Sequence, residues 1–139
     1  MSVSFHSLRI NTTILRGEKR KIAFWINQII KMHHRNTGDV SVILTNKKEL
    51  LILNKKHLQH DYHTDIITFN YNEENTVSGD LFISLERIKE NAEEFHVPVK
   101  HELLRVIIHG ILHLLGFNDS TEKGKKTMRK KEDLALSLY

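Results

Sequence analysis

The segment HELLRVIIHGILHLLGFND, residues 101–119, is the part of the sequence that best predicts the fold. Its apolar side chains occupy nearly every side of a helix, and such a helix is buried on most of its faces. Gly116 follows the periodic part of the segment, so the sequence predicts a helix of about sixteen residues between Pro98 and Gly116. A helix of this kind needs a sheet or other helices packed around it.

Two histidines, His109 and His113, are four residues apart and therefore lie on one face of this helix. Their Cβ atoms are then about 5–6 Å apart, a separation that lets two imidazoles bind one metal ion. Without partners, two buried imidazoles would each cost roughly 1–3 kcal/mol. Either a metal ion or hydrogen bonds to carbonyl or carboxylate groups can provide those partners.

The turn after the helix offers a third ligand. Gly116 can adopt the left-handed conformation that ends a helix, so that Asp119 returns toward the histidine face. The pattern H-x3-H-x2-G-x2-D has the ligand spacing of the metzincin signature, with aspartate in place of the third histidine. The sequence predicts a metal site formed by His109, His113 and Asp119. Asp119 has a second interpretation, because with Glu122 it also fits an N-cap and capping box for the last helix.

Gly110 argues against a metalloprotease. Proteases with the H-E-x-x-H pattern carry a glutamate base directly after the first histidine, and this chain has glycine there. Glycine inside a helix costs about 1 kcal/mol relative to alanine. Gly110 therefore indicates either the close approach of another backbone or space left for a substrate.

The rest of the chain alternates between strand and helix patterns, without repeats or linkers. We expect strands at Val3–Ile10, Val40–Leu44, Asp65–Tyr71 and Gly79–Ser84, and further helices from Glu18 to near Asn36 and Gly38, at Lys47–Lys56, at Leu85–Phe95 and at about Ser120–Leu138. This order predicts a single α+β hydrolase domain over residues 1–139. Its small mixed sheet of about four strands packs with about five helices, and the metal site lies on the buried helix and the following turn.

The amino-acid composition indicates the cellular compartment of the protein. The chain has no cysteine, which excludes disulfide-linked partners and thiolate metal sites and is compatible with a reducing cytosol. Its longest apolar stretch, Leu103–Leu115, is shorter than the roughly 20 residues that span a bilayer. We therefore expect a cytoplasmic protein without a membrane partner.

Charge is sorted along the sequence. Residues 1–60 carry 11 basic and 3 acidic side chains, residues 61–119 carry 4 and 11, and residues 120–139 carry 6 and 3. Basic ends around an acidic middle suit an anionic polymer held at its flanks, with acidic groups near a metal in the centre. Uneven surface charge without a polyanionic partner is the other interpretation.

Three blocks of the sequence resemble the YbeY family. HGILHLLGFND, followed by Met128 and Glu132, resembles the family signature HGxLHLxGYDH with its later methionine and glutamate. LNKKHLQHDYHTDIITF, residues 53–69, is similar to LNxxYRxxxxPTDVLSF, and GDLFI, residues 79–83, is similar to GDIVI. These blocks occur in order over residues 53–132, whereas the N-terminal third matches only in its strand and helix pattern.

The resemblance implies a single-strand-specific, metal-dependent endoribonuclease in ribosomal RNA maturation and ribosome quality control. The implied partners are single-stranded RNA, ribosomal RNA and the small ribosomal subunit, and the implied cofactor is one zinc ion per chain. The first two family ligands fall on His109 and His113, and Asp119 replaces a third histidine. Zn²⁺ accepts carboxylate oxygen at a similar distance, and the extra negative charge should admit harder ions such as Mn²⁺.

One catalytic feature of the family is missing here. The family arginine near the cleft aligns with Leu58, so the group that stabilises phosphate charge is unassigned. The RNA-binding candidates are basic residues of two predicted helices: Lys55, Lys56, Lys125, Lys126, Arg129 and Lys130. His57, His60 and His63 could bind a metal by composition, but histidines in loops are more often solvated.

Three functions follow from these observations. The first is an RNA hydrolase whose ion polarises a phosphoryl oxygen and acidifies a bound water or the attacking hydroxyl. The second is a ribosome-associated RNA-binding factor with a structural metal and little nuclease activity, which the missing arginine permits. The third, a metalloprotease, is disfavoured by Gly110. An open coordination position would favour the enzyme, and a closed four-ligand site the binding factor.

Overall fold

The computed structural model describes residues 2–57 and 64–139, and within them four strands and five helices follow one another along the chain. The elements are β1 (Ser2–Ser7), α1 (Lys19–Met32), β2 (Asn36–Thr45), α2 (Lys47–His57), β3 (Ile66–Asn70), β4 (Thr76–Ser84), α3 (Leu85–Phe95), α4 (Val99–Leu114) and α5 (Glu122–Ser137). The predicted α+β class and the number of strands and helices are confirmed.

The four strands form one mixed sheet in the order β1-β2-β4-β3. β2 pairs in parallel with both β1 and β4, and β3 runs antiparallel to β4. Alternate residues of the two central strands are buried, among them Val40, Val42 and Leu44 of β2 and Leu81 and Ile83 of β4. This apolar face of the sheet packs against α1 and α4.

Helix α4 lies directly on the sheet, and Gly110 makes this close packing possible. A Cβ atom at Gly110 would lie 2.7 Å from Ile66 Cδ1 and 2.9 Å from Leu81 Cδ2. The expected close approach therefore exists, but the neighbours are side chains of β3 and β4 and not a backbone. Because Gly110 is buried against them, the alternative of space for a substrate is wrong.

The largest difference from the predicted boundaries lies between α1 and β2. The helix ends at Met32, and His34, with φ 60°, reverses the chain before β2 begins at Asn36. The helix end expected near Asn36 and Gly38 is therefore wrong. Gly38 lies inside β2, where a Cβ atom would overlap Ser78 Oγ, so this glycine serves strand packing and not a helix stop.

Gly116 ends α4 as predicted. It has φ 103°, its N–H donates to the His113 carbonyl at 3.0 Å, and the Phe117 N–H donates to the Leu112 carbonyl at 3.0 Å. These two bonds form a Schellman motif, which satisfies carbonyls that the last turn of a helix leaves free. The chain leaves α4 at a fixed angle as a result.

Helix α5 returns along α4 and α1. The Trp25 indole of α1 is 1% exposed, and its Nε1–H donates to the Ala135 carbonyl of α5 at 2.8 Å. The Tyr139 ring packs edge-on against Trp25 with 5.1 Å between the ring centroids. Among the helices of the described residues, none has the length and apolar character needed to cross a membrane.

Replacement of Gly116 should destabilise the fold through backbone strain alone, because nothing lies within 4 Å of a Cβ atom at this position. We expect Gly116→Ala to lower the free energy of unfolding by about 1–2 kcal/mol. Gly116→Asn should cost less, because asparagine tolerates positive φ better than alanine. Urea denaturation of both variants measures the difference. Equal losses for alanine and asparagine would contradict the assignment of strain to this residue.

Candidate metal centre

Helix α4 and the turn after it bring His109, His113 and Asp119 together. One ligand atom from each lies within 4.8 Å of the others, and this is the one such metal-capable group among the described residues. His109 Nε2 is 3.5 Å from Asp119 Oδ2, and His113 Nε2 is 3.7 Å from Asp119 Oδ1. The two Nε2 atoms are 3.0 Å apart. The predicted meeting of these residues is therefore found.

The donor atoms have a geometry that suits a small divalent cation. Tetrahedral bonds of about 2.0–2.1 Å separate two ligand atoms by roughly 3.3–3.4 Å, close to the separations in this group. The three side chains are 18%, 28% and 43% exposed, so one side of the group faces solvent. Three donors with an open side match catalytic zinc sites better than closed structural ones.

Glu132 of α5 fixes the proton of His109. The two atoms His109 Nδ1 and Glu132 Oε2 are 2.6 Å apart, and an ionised carboxylate can only accept. His109 therefore donates from Nδ1, and in this tautomer the ring lone pair is on Nε2, the atom that faces His113 and Asp119. A cation binds such a lone pair, and carboxylate–histidine pairs of this kind are common around protein metals.

A buried ion-pair network stands behind Glu132. Arg105 Nη1 donates to Glu132 Oε1 at 3.2 Å. The same guanidinium donates to both oxygens of Glu102, with Nε–Oε1 at 2.9 Å and Nη2–Oε2 at 2.6 Å. Glu102 and Glu132 are 1% and 2% exposed. Two buried carboxylates thus share one arginine, and His109 supplies the remaining donor.

The network shifts the ionisation of its members. Burial alone would raise the pKa of Glu132, but the hydrogen bond from His109 and the charge of Arg105 outweigh burial and lower this pKa below its ordinary value. The hydrogen bonds to Glu102 raise the pKa of Arg105 further above its ordinary value, against the effect of burial. Both residues are therefore charged at neutral pH.

Burial and the neighbouring His109 lower the pKa of His113 below its ordinary value, although Asp119 acts in the opposite direction. His113 is consequently neutral at neutral pH. A neutral imidazole is the form that binds metals. Its position and protonation state both suit a ligand.

The capping interpretation of Asp119 is wrong. Thr121 is the N-cap of α5, and its Oγ1 accepts from the Gly124 N–H at 2.9 Å. The Asp119 carboxylate instead faces the two imidazoles.

A cavity of about 280 Å³ adjoins the site, and its walls include His109, Asp119 and Glu132. Two of the six RNA-binding candidates, Lys125 and Arg129, line this cavity. They share one face of α5 with Glu132, because all three are spaced by three or four residues. A phosphate placed in this cavity beside His109 would therefore meet both cations.

The other candidates are not brought to this cavity. Lys126 and Lys130 are exposed on α5 outside its described lining, and Lys55 and Lys56 are exposed in the last turn of α2. Helix α2 packs on β3, β4 and α3. Leu58, and with it His60 and His63 of the predicted histidine row, lie outside the described residues. His57 packs its ring against Phe69, with 5.6 Å between centroids.

The buried network is not part of the predicted metal site, but a pattern in the sequence indicates it. Glu102, Arg105 and His109 are spaced by three and four residues, so charged groups follow one stripe of an otherwise apolar helix. Charges on a buried helix need partners. Glu132 belongs to the family signature, and the structure shows which residues it contacts.

An open group of two imidazoles and a carboxylate is typical of the catalytic metal sites of hydrolases, and the neighbouring cations suit an anionic substrate. A family model described as endoribonuclease YbeY matches residues 9–139. The chain belongs to the endoribonuclease YbeY family.

Individual relatives agree with this assignment over most of the chain. An endoribonuclease YbeY from Parabacteroides distasonis is 41% identical over 138 residues, which are 99% of this chain and 96% of that protein. One from Azobacteroides pseudotrichonymphae is 48% identical over 112 residues, 81% of each chain. A solution structure of a Thermotoga maritima protein is similar with a TM-score of 0.68 and 30% identity, over 96% of this chain and 86% of that one.

The lowered pKa of Glu132 predicts a specific pH dependence. In the unfolded chain the Glu132 carboxylate binds a proton near its ordinary pKa of 4.5. In the folded chain the same carboxylate binds the proton only at lower pH. The stabilisation is therefore complete above that value and is lost as pH falls through the folded pKa, with a slope of at most about 1.4 kcal/mol per pH unit.

Glu132→Gln should be less stable than the wild type at neutral pH by roughly 1–3 kcal/mol, and the difference should shrink as pH falls below the ordinary carboxyl value. Asp133→Asn changes the exposed neighbouring carboxylate and serves as the control, which should follow the wild type. Denaturant titrations over this pH range provide the test. A difference between Glu132→Gln and wild type that stays constant with pH would contradict the prediction.

Proposed function

We propose that this protein is a single-strand-specific, metal-dependent endoribonuclease that acts on ribosomal RNA in its maturation and in ribosome quality control. The observation that carries the proposal is the open group of His109, His113 and Asp119, which adjoins a cavity lined by Lys125 and Arg129. The relatives named endoribonuclease YbeY support the substrate class.

The proposed cofactor is one divalent ion per chain, Zn²⁺ in the first place, held by His109 Nε2, His113 Nε2 and a carboxylate oxygen of Asp119. Nitrogen and carboxylate donors at these separations suit zinc, and the negative charge of Asp119 also admits harder ions such as Mn²⁺. When bound, such an ion supplies Lewis acidity toward a phosphoryl oxygen and an acidic water.

The protein's own side chains prepare the site for this chemistry. Glu132 keeps a proton on His109 Nδ1 and so directs the Nε2 lone pair toward the other donors. Arg105, held by Glu102, keeps Glu132 ionised and fixed. Lys125 and Arg129 bind the phosphate and stabilise charge that develops on it, the role for which the family arginine is missing.

We further propose that residues 1–139 act as one domain in the cytoplasm, together with the small ribosomal subunit that carries the RNA substrate. A hydrophobic cluster shared by the sheet and helices α1, α3, α4 and α5 supports the single domain.

The second candidate is a ribosome-associated RNA-binding factor with a structural metal and little nuclease activity. Leu58 at the position of the family arginine favours it. The open side of the donor group favours the enzyme, because structural zinc sites are closed by a fourth protein ligand. Arg129 in the adjoining cavity offers a replacement for the missing cation.

Cleavage should depend on the metal. We expect the purified protein to contain about one divalent ion per chain and to cut unstructured RNA but not duplex RNA. Chelation should abolish cleavage, and added Zn²⁺ or Mn²⁺ should restore it. The double variant His109→Ala/His113→Ala should lose both metal and cleavage. RNA binding without cleavage at any metal concentration would favour the binding factor, and full metal content in the double variant would exclude this site.

Substitutions of Asp119 separate ligation from any structural role. Asp119→His should keep the metal and raise the net charge of the site, which moves the rising limb of the pH–rate profile to lower pH. Asp119→Asn should lose most metal affinity, because a neutral amide oxygen is a poorer zinc ligand than a carboxylate. Elemental analysis and melting temperature are measured on both variants. An Asn variant with full metal content beside a destabilised His variant would refute ligation by Asp119.

A further inference from the structure

A second cavity, of about 510 Å³, lies between β1 and the beginning of α1, and we call it the α1 cavity. Three cationic residues line it, Arg16, Lys19 and Arg20, together with the hydroxyl-bearing Thr12 and Thr13. No acidic residue of the described chain is part of this lining. Its chemistry suits an anion that accepts several hydrogen bonds.

The three cations of the α1 cavity have no ion-pair partner within residues 2–57 and 64–139. Glu18, the nearest acidic residue in sequence, pairs with Lys100 of α4 instead. Like charges around one cavity repel one another, and a bound anion removes this repulsion. These residues also belong to the basic excess of residues 1–60, which the candidate metal centre does not use.

An exposed aromatic ring lies about one turn of α1 beyond Arg20. Phe24 is 71% exposed and follows Arg20 by four residues, which places the two side chains on one face of the helix. Cations beside an exposed ring are the combination with which proteins hold single-stranded nucleic acid, through phosphates on the cations and a base stacked on the ring.

The α1 cavity is separate from the candidate metal centre. The ion pair between Glu18 and Lys100 places the beginning of α1 beside the beginning of α4, whereas His109 and His113 lie further along α4. At a rise of 1.5 Å per residue, the nine to thirteen residues between Lys100 and these histidines correspond to roughly 14–20 Å along the helix. An RNA strand must extend beyond the scissile nucleotides to reach both places.

We propose that the α1 cavity binds a backbone phosphate of single-stranded RNA, with a base stacked on Phe24, several nucleotides from the bond that is cut. The proposal rests on the proposed function for the identity of the ligand. It makes the cavity a second contact for the strand that enters the metal centre, and it predicts that long substrates bind better than short ones.

The test compares two triple variants with the same change in charge. Arg16→Gln/Lys19→Gln/Arg20→Gln removes the cations of the cavity. A long unstructured RNA should bind this variant at least about threefold more weakly than the wild type. The log–log salt slope should fall by about 0.7 for each phosphate that the variant no longer neutralises. Metal content and cleavage of a trinucleotide, which is too short to reach the cavity, should stay unchanged.

The control variant, Lys31→Gln/Lys48→Gln/Lys89→Gln, removes three exposed lysines elsewhere and should leave both affinity and salt slope near the wild-type values. Equal losses of affinity in the two triple variants would show an effect of net charge and would overturn the proposal. If the wild type cuts no RNA at all, the proposed function fails, while the comparison of binding still decides whether the cavity holds RNA.

Two further measurements do not depend on the triple variants. Phe24→Leu should weaken binding of the long RNA about fivefold or more, and Phe24→Tyr, which keeps the ring, should not. Amide resonances of Thr13 and Gly17 in the wild type should shift when the long RNA is added. If inorganic phosphate or AMP produces the same shifts with equal affinity, the cavity is a site for small anions. If the long RNA produces no shifts, the cavity does not bind RNA. Either result overturns the proposal.

Discussion

The charges buried between α4 and α5 must be compensated inside the protein, and the geometry of the candidate metal centre depends on how this is achieved. Glu102 and Glu132 are almost fully buried and share the single guanidinium of Arg105. Removing one member would leave a charge without a partner in a poorly solvated region, which is far more costly than the net gain of the intact pair. The side-chain positions are therefore tightly constrained, and His109 is held by the same constraint.

This network also accounts for the attachment of α5. Of the sixteen residues in that helix only Met128, Glu132 and Ala135 are buried, so its apolar contact with the rest of the protein is small. Polar contacts supplement it: Ala135 accepts from Trp25, and Glu132 bonds to Arg105 and His109. Helix α5 in turn brings Lys125 and Arg129 to the cavity beside His109. The bonds that stabilise the helix thus also position the cations that the proposed reaction needs.

The sequence predicted those parts of the site that depend on local geometry. Helical spacing placed His109 and His113 on one face, and the conformational freedom of Gly116 accounted for the turn that returns Asp119. The partner of His109 could not be predicted, because Glu132 is 23 residues away and is reached only through the packing of α5 on α4. The helix end predicted near Gly38 was wrong for a related reason. Glycine is required both where helices end and where strands pack closely, and only the position of Ser78 distinguishes the two cases.

The acidic middle of the sequence is divided between two places: Asp119 and Glu102 lie in or beside the metal centre, whereas other carboxylates lie elsewhere. Three of its carboxylates, those of Glu73, Glu74 and Asp80, line a separate cavity on the polar face of the sheet together with Asp39. Opposite faces of a strand are set by alternation, so this polar face is directed away from the face that packs on α1 and α4. A polyanion is repelled from such a surface and attracted to the basic residues of α1 and α5. Charge is therefore sorted between faces of the fold as well as along the sequence, and a polyanion is favoured on the side of the sheet that carries α1 and α4.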